Sequence, residues 1–296
     1  MKSSIDTKIA FASCCKLQKV NPQPAWAEIQ LEKPDVLLLL GDNIYLDKDS
    51  HDDPAALTAE LALLYRAQLR EPNFSALLAD MKARGKPVLA TYDDHDFLGD
   101  NRVGAANPAL RDSAREQLVA AIDPVRTGDD VYSSQWHGNV RIVVLDTRYH
   151  RDLLPGAADQ RDAILGARQW QWLEAELERK DSPFVLVVSS TAFHRYGVNE
   201  AWSYYTAAFQ RLRDLLRHRS GAMVASGDIH DNELKDKSGV IEVVSSGVAR
   251  PGKGHGERRN YGLLVFDETG VDIDLRGEPP KGVFPMRVLL SDWRLA

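Results

Sequence analysis

Three apolar runs of strand length in this chain each lead directly into carboxylates or imidazoles. They are 36–40 before GDNIY at 41–45, 87–92 before DDHD at 93–96, and 223–226 before GDIH at 227–230. A strand that is apolar on both faces belongs in a covered, mostly parallel sheet, and such sheets bind ligands beyond the carboxyl ends of their strands. The sequence therefore predicts an α/β fold in which three strands deliver polar side chains to one edge.

Carboxylates mixed with imidazoles are typical ligands of di- or trivalent metal ions, and two such ions can share one bridging Asp. Each motif also has a simpler interpretation: Asp42 as a helix cap or turn residue, 93–96 as a solvated acidic loop, and 227–230 as a hairpin turn with an incidental histidine. Four titratable groups in a row are costly unless a cation or solvent compensates them. Because all three motifs follow apolar strands, a shared metal site is the favoured interpretation.

Seven short motifs match one protein family in their order along the chain. They are FASC at 11–14, QPAW at 23–26, GDNIY at 41–45, TYDDHD at 91–96, LDTRY at 145–149, QWQWL at 169–173 and SGDIH at 226–230. Together they resemble the D-type alkaline phosphatases, the PhoD-like branch of the calcineurin-like metallophosphoesterases. The resemblance covers roughly residues 8 to 270. It implies a metallophosphoesterase-like α/β/β/α sandwich of four layers, which the alternation of strands and helices would accommodate.

The resemblance also implies a set of metal ligands, assigned motif by motif: Cys14, Asp42, Tyr45, Asp94, Asp228 and His230. Asp42 is expected to bridge two ions, with Asp228 and His230 on one site and the other three ligands completing its neighbour. A thiolate and a phenolate are anionic ligands suited to Fe³⁺. The family therefore suggests Fe³⁺ together with Ca²⁺, with Mn²⁺ or Zn²⁺ as alternatives in the second position.

Two catalytic residues are expected beside these ligands. His95 corresponds to the histidine that faces the phosphate in the family, and Arg148 follows a buried strand on the same edge, where its cation could hold phosphoryl oxygens. Further candidate cations are Arg102, His194, Arg250, Lys253, His255, Arg258 and Arg259. Ordinary surface ion pairs or a solvated loop remain the alternative for all of these cations.

Composition sets the broad class. The 296 residues, 44% of them hydrophobic, can bury a large core, and one metallophosphoesterase domain over 1–296 is expected. A formal net charge of -6 argues against nucleic acid as a bulk partner, which leaves a small-molecule phosphate ester as the expected one. No apolar run reaches the ~18 residues of a membrane span, and no oligomeric state is indicated.

Two features of the sequence bear on the location of the protein and on the role of Cys14. The chain begins MKSSID, without the twin-arginine export signal or preceding β-domain common among relatives, so a cytoplasmic protein is expected, or an exported one if a leader has been removed. The only cysteines are the neighbours Cys14 and Cys15, whose disulfide would be strained, and this fits a reducing compartment. Without the resemblance, Cys14 would be interpreted as a small buried hydrophobe.

Periodicity and turn residues predict alternating helices and strands. The helices are one beginning near Pro24 and those at 55–69, 74–84, 110–122 and 167–179, with Asn73 capping the third. Besides the three runs above, the strands are 8–12, 131–137, 140–146, 184–190, 240–244, 261–267, 271–275 and, at an edge, 286–290. Residues 97–109 are predicted to form a long loop at the mouth of the site.

The predicted function is hydrolysis of a phosphate ester by a metal-bound hydroxide, because a bound cation lowers the pKa of water from about 16 to about 7. A phosphodiesterase or phospholipase with little monoesterase activity is one alternative, since the same ions serve both reactions. A non-catalytic metal-dependent binding protein on the same fold is another. His95 beside a complete ligand set favours the enzyme.

Overall fold

The computed structural model describes residues 6–46, 52–153, 159–197, 200–250, 259–277 and 285–293. Its α-helices are α1 (Pro24–Glu32), α2 (Pro54–Leu69), α3 (Pro72–Ala83), α4 (Arg111–Ile122), α5 (Gly166–Glu178) and α6 (Thr206–Arg217). Its strands are β1 (Thr7–Ala12), β2 (Val36–Leu40), β3 (Val88–Thr91), β4 (Ser133–His137), β5 (Val140–Val144), β6 (Phe184–Ser189), β7 (Ala222–Ser226), β8 (Asn232–Lys237), β9 (Val240–Ser245), β10 (Asn260–Phe266), β11 (Gly270–Gly277) and β12 (Met286–Leu289).

The strands form two six-stranded sheets. The first has the order β12-β11-β10-β1-β2-β3, in which β1, β2 and β3 run parallel. The second has the order β4-β5-β6-β7-β9-β8, in which β5, β6, β7 and β9 run parallel. The apolar runs of the sequence are thus central parallel strands, and the carboxyl ends of parallel neighbours lie at one edge of each sheet.

Three apolar clusters hold the layers together. One lies between the two sheets and joins Ile9, Leu38 and Leu40 of the first sheet to Leu186 and Val243 of the second. A second cluster packs α1 to α4 on the outer face of the first sheet, and a third packs α5 and α6 on the outer face of the second. The predicted four-layer α/β/β/α sandwich is therefore confirmed. No helix in the described ranges combines the length and apolar character needed to cross a membrane.

Several local predictions were incomplete or wrong. Helix α6 and strand β8 were not predicted, and the first strand of the β4–β5 hairpin is shorter than expected. Asn73 does not cap α3. The helix begins at Pro72 and its cap is Glu71, whose carboxylate accepts from the backbone N–H of Phe74 at 2.6 Å, while Asn73 donates to the carbonyl of Gln23.

Candidate metal centre

The site forms where the loops after β1, β2, β3, β6 and β7 meet. Gly41 shows how tightly they approach: a Cβ built there would lie 2.7 Å from the backbone nitrogen of Asp93 and 2.9 Å from the Cβ of Ser190. Its φ of +94° is also one that residues with a side chain rarely adopt. Glycine is therefore required for the first motif to reach the others.

A first group of donor atoms combines sulfur, oxygen and nitrogen. The Cys14 Sγ lies 3.4 Å from Asp42 Oδ2, and the Tyr45 hydroxyl donates to the same oxygen at 2.9 Å. The Tyr45 hydroxyl is also 3.4 Å from His230 Nε2. Donor atoms of Cys14, Asp42 and His230 all lie within 4.8 Å of one another, close enough to surround a single cation.

A second group shares Asp42 with the first. Donor atoms of Asp42, Asp94 and His95 lie within 4.8 Å of one another. These groups differ from the sequence-based division: His230, expected beside Asp228, has a donor atom near Cys14, and Asp94, expected beside Cys14, has one near His95. Asp42 contributes a donor atom to both groups, and its bridging of two ions stays a prediction.

The carboxylates of the site have the electrostatics expected of cation ligands. Burial raises the pKa of Asp42 and of Asp228 well above the usual range, and the neighbouring Asp93 and Asp94 raise both further. Among the described residues, Asp42 Oδ1 and Asp228 Oδ2 are buried without a hydrogen-bond partner. A cation would satisfy both oxygens and compensate the repulsion, so this donor set fits metal ions.

The pKa values of the other proposed ligands depend on the same neighbours. Burial raises the pKa of the Cys14 thiol, and the Asp42 carboxylate raises it further. Burial also raises the pKa of Tyr45, with Asp42 and Cys14 adding to the effect. Burial alone would raise the pKa of Asp94, but Arg148 and other partners bring it below the usual value.

Backbone strain is concentrated at the proposed ligands. Cys14, Asp42, Asp228 and His230 adopt φ values of 60°, 51°, 77° and 59°, in the left-handed region that residues other than glycine rarely occupy. Such strain persists only where the surroundings impose it, and it is characteristic of functional sites. The sequence motifs do not predict these backbone conformations.

Asp96 is a site residue that the sequence analysis did not single out. Its buried carboxylate accepts from the backbone N–H groups of Asp42, Asn43 and Asp93 at 3.1, 2.9 and 2.6 Å, and from the Asn43 amide. Burial raises its pKa to about 7. The signal was present in DDHD at 93–96, but a carboxylate that binds backbone cannot be distinguished from one that binds metal by sequence alone.

Arg148 lies beneath the site with its side chain fully buried. Its Nε donates to Asp93 Oδ1 at 2.5 Å, its Nη2 lies 2.8 Å from Glu200 Oε2, and Asp94 is 3.8 Å away. Asp93 Oδ1 also accepts from the Ser190 hydroxyl at 2.9 Å. The guanidinium therefore compensates part of the negative charge of the site.

The other cations predicted from the sequence differ from Arg148 in what they contact. The His194 ring is bound to Glu242 and to the carbonyl of Lys237, so it is engaged within the protein. Arg102 donates to the Asn107 side chain, and Lys253, His255 and Arg258 fall outside the described residues. Two cations lie over the ring of Tyr45: Lys16 with its Nζ 5.0 Å from the ring centroid and Arg250 with its Cζ 5.9 Å away. Lys16 was not predicted.

A family model described as PhoD-like phosphatase matches residues 9–267. The chain belongs to the PhoD-like phosphatase family. It is accordingly a metal-dependent hydrolase of phosphoric esters, and a small-molecule phosphate ester is the substrate class that the family implies. A search of curated proteins gave no match.

Solved structures of phosphatases share the fold. A structure of PhoD superposes with a TM-score of 0.76 at 19% identity, covering 97% of this chain and 69% of that one. A dimetal phosphatase from Danio rerio gives 0.56 at 16% identity, with 93% and 97% covered. A purple acid phosphatase from yellow lupin (Lupinus luteus) seeds gives 0.62 at 12% identity, with 96% and 53% covered. At these identities the likeness shows the fold.

Proposed function

We propose that this PhoD-like phosphatase hydrolyses phosphate monoesters with two metal ions that share Asp42. The observation that carries the proposal is the pair of donor groups overlapping at this carboxylate: Cys14 and His230 lie on one side as proposed ligands, and on the other side Asp94 lies as a proposed ligand beside the catalytic His95. When bound, such ions supply a nucleophilic hydroxide at neutral pH and neutralise the phosphoryl oxygens. Tyr45 and Asp228 complete the ligand set.

His95 is proposed to act on the phosphoryl group or the leaving group. Its Nδ1 lies 3.4 Å from the carbonyl oxygen of Leu46, a contact in which the ring must donate, and its ring stacks on Tyr45 with centroids 4.2 Å apart. Its Nε2 is directed toward the exposed Asp100, 3.8 Å away. These contacts fix the ring plane while leaving Nε2 on the solvent side of the site.

Arg148 is proposed to bind the phosphoryl group from the inner end of the site. Its Nε and Nη2 are engaged by Asp93 and Glu200. Its Nη1 is buried and, within the described part of the chain, has no hydrogen-bond partner. Because a guanidinium has five N–H donors, Nη1 keeps two of them for a phosphoryl oxygen.

We propose Fe³⁺ in the group that contains Cys14 and Tyr45, with Ca²⁺, Mn²⁺ or Zn²⁺ in the neighbouring group. The support is the donor chemistry, since thiolate and phenolate are anionic ligands that favour Fe³⁺, whereas carboxylates suit the harder divalent ions. Elemental analysis of protein purified without chelator should give about one iron per chain, together with visible absorption from ligand-to-iron charge transfer. Colourless, iron-free protein that is fully active would refute this assignment.

The preference for monoesters is supported by the cations around Tyr45. A monoester carries two negative charges near neutral pH and a diester only one, so additional positive charge favours the monoester. Lys16 and Arg250 supply such charge, and the Nε of Arg250 is buried with no partner in the described ranges.

The experiment that tests the function compares an aryl phosphate monoester with the matching bis-aryl diester on metal-loaded wild-type protein, over acidic to alkaline pH. The proposal expects a higher kcat/KM for the monoester and complete loss of activity after chelation. Faster diester cleavage would favour the phosphodiesterase alternative. Failure to cleave either ester would contradict the enzymatic function.

A cytoplasmic location is also proposed. It is supported by Cys14 and Cys15, which are both buried and both free thiols, since a Cys14 ligand must stay reduced. Fractionation of the native host, with detection of the intact chain by antibody, tests it. Recovery of the chain outside the cytoplasm would refute it.

A further inference from the structure

Glu242 lies in the middle of β9 and is fully buried. All five groups that contact its carboxylate can donate to it. One oxygen accepts from the Phe193 backbone at 2.5 Å and the Ser226 hydroxyl at 2.6 Å. The other accepts from the backbone and Nδ1 of His194 at 2.9 and 2.8 Å, and from the Tyr196 hydroxyl at 2.9 Å. Both oxygens of this buried carboxylate are therefore held by several hydrogen-bond partners.

His194 contacts the protein through both ring nitrogens. Its Nδ1 lies 2.8 Å from the Glu242 carboxylate, and its Nε2 lies 3.1 Å from the carbonyl oxygen of Lys237. Glu242 and His194 therefore form a buried pair whose polar atoms have hydrogen-bond partners, as buried polar groups require.

This pair is connected to the candidate metal centre through Ser226. Ser226 is the last residue of β7 and stands immediately before the GDIH motif at 227–230. The motif itself is strained, since Asp228 and His230 both have positive φ. Within this motif, the Gly227 N–H donates to the carbonyl oxygen of Ser190 at 3.1 Å. Ser190 lies on the same loop as Phe193 and His194, whose backbone N–H groups donate to Glu242.

We infer that Glu242, paired with His194, positions the metal ligands Asp228 and His230 by fixing the start of their turn through Ser226. This inference rests on the proposed metal centre and adds residues outside it. Glu242, His194 and Ser226 contribute no donor atom to either proposed ligand group. Groups that orient metal ligands in this way typically change metal affinity by about 10- to 100-fold when removed.

The test is Zn²⁺ binding to chelator-stripped protein carrying S226A, because this change removes the link to the turn and leaves Glu242 and His194 in place. We expect Zn²⁺ affinity to fall by about 10- to 100-fold. The matched control is S182A: Ser182 is also buried, but its hydroxyl donates to the carbonyls of Asn139 and Phe184 at the opposite end of β6. S182A should bind Zn²⁺ like the wild type.

A second variant, E242Q, tests the role of Glu242 as an acceptor at both oxygens. Gln is nearly isosteric but must donate from one of its two terminal atoms, which would oppose the donors now facing that position. If Glu242 acts through Ser226, the loss of Zn²⁺ affinity in the double variant S226A/E242Q should be smaller than the sum of the two single losses. Should E242Q fail to fold, S226A and S182A still decide.

Equal Zn²⁺ affinity in S226A, S182A and wild type would overturn the inference, as would a wild type that does not bind Zn²⁺ tightly. Hydrolysis is not used as a readout here. A wild type that binds metal but cleaves no ester would contradict the proposed function alone, and the affinities would still measure the positioning.

Discussion

Asp42 is the residue on which both donor groups depend. Its Oδ2 contacts Cys14 and Tyr45, while its Oδ1 is buried and has no partner among the described residues. The Asp96 carboxylate holds its backbone N–H at 3.1 Å, which fixes the side chain between the two groups in a strained conformation. Asp42 Oδ1 is therefore left to accept a cation, as expected of a carboxylate shared by two metal ions.

The first prediction is that Asp42→Asn removes both metals together. The amide keeps the shape of the side chain but can offer only one ligand oxygen and no charge. Elemental analysis after dialysis should show metal content falling from about two ions per chain to nearly none, with activity reduced by at least 10²-fold. Asp214→Asn, a change at an exposed residue of α6, is the control. Retention of one ion would show that Asp42 is a terminal ligand.

The second prediction is that His95→Ala keeps the metals and loses turnover. A group that donates to the phosphoryl or leaving oxygen contributes about 10²- to 10⁴-fold in rate. We expect kcat for an aryl phosphate monoester to fall by this factor at unchanged metal content. His95 also lies within ligand distance of Asp42 and Asp94, so loss of one ion in the variant would instead identify it as a metal ligand.

The third prediction concerns substrate charge at Lys16, whose Nζ lies 5.0 Å from the Tyr45 ring centroid. Lys16→Met keeps much of the side-chain volume and removes the charge. We expect KM for a phosphate monoester to rise by about 5- to 30-fold, which corresponds to a charge contribution of about 1–2 kcal/mol, with a smaller rise for the diester. Equal changes for both esters would argue against charge selection.

At the scale of elements, the sequence pattern predicted the strands that depend on local apolar content. The runs 36–40 and 184–190 are recognisable because a central parallel strand is apolar on both faces, and each run is followed by the loop that carries its site residues. Helix α6 was missed although Ala208, Leu212 and Leu216 recur at helical spacing on its buried face. Strand β8 is mostly polar, as an edge strand can be.

Features that depend on distant partners could not be predicted from the sequence. Asp42, Asp94 and His95 are brought together by sheet pairing, and the grouping of donor atoms follows from loop conformation that no motif encodes. The contact of Glu242 with His194 joins residues 48 positions apart. Burial of Arg148 likewise depends on Glu200, which lies on another loop.

The fourth prediction concerns the start of α3, which depends on Glu71. This carboxylate is 2% exposed and accepts from the backbone of Phe74 and of Gln23, the latter at 3.0 Å, so it joins α3 to the start of α1. Glu71→Ala should lower the free energy of unfolding by about 2–3 kcal/mol, because it leaves buried N–H groups unpaired. Urea denaturation measures the change.

The control for this prediction is Asp53→Ala at the exposed cap of α2, where the carboxylate accepts at 3.2 and 3.3 Å. Water can replace these contacts, so its cost should be nearer 0.5–1 kcal/mol. If the two variants lose equal stability, the contact between α1 and α3 through Glu71 does not contribute beyond an ordinary cap.

At the scale of the whole molecule, the two sheets place several carboxylates at one buried edge, and this couples stability to metal and to pH. Burial and mutual repulsion raise the pKa of Asp42 and Asp228 above the value of 3.8 for an unperturbed side chain, and burial raises that of Asp96 to about 7. Arg148 compensates part of this charge from below. Without metal, the folded protein therefore binds protons that the unfolded chain would release.

The last prediction follows from the sign of these shifts. A carboxyl group whose pKa is raised on folding stabilises the fold below its unfolded pKa, and this contribution is lost as pH rises through the folded pKa. For Asp96 the loss falls between about pH 4 and pH 7, at up to about 1.4 kcal/mol per pH unit for one proton. The lowered pKa of Asp94 acts in the opposite direction, but only below about pH 4. Metal ions replace the protons as counter-charge.

The Tm of chelator-treated protein should therefore fall from pH 5 to pH 8, while that of metal-loaded protein changes little, so that the stabilisation by metal grows with pH. Thermal denaturation of both forms across this range measures it, and a metal-free Tm that rises with pH would show that the carboxylate cluster does not repel itself as described.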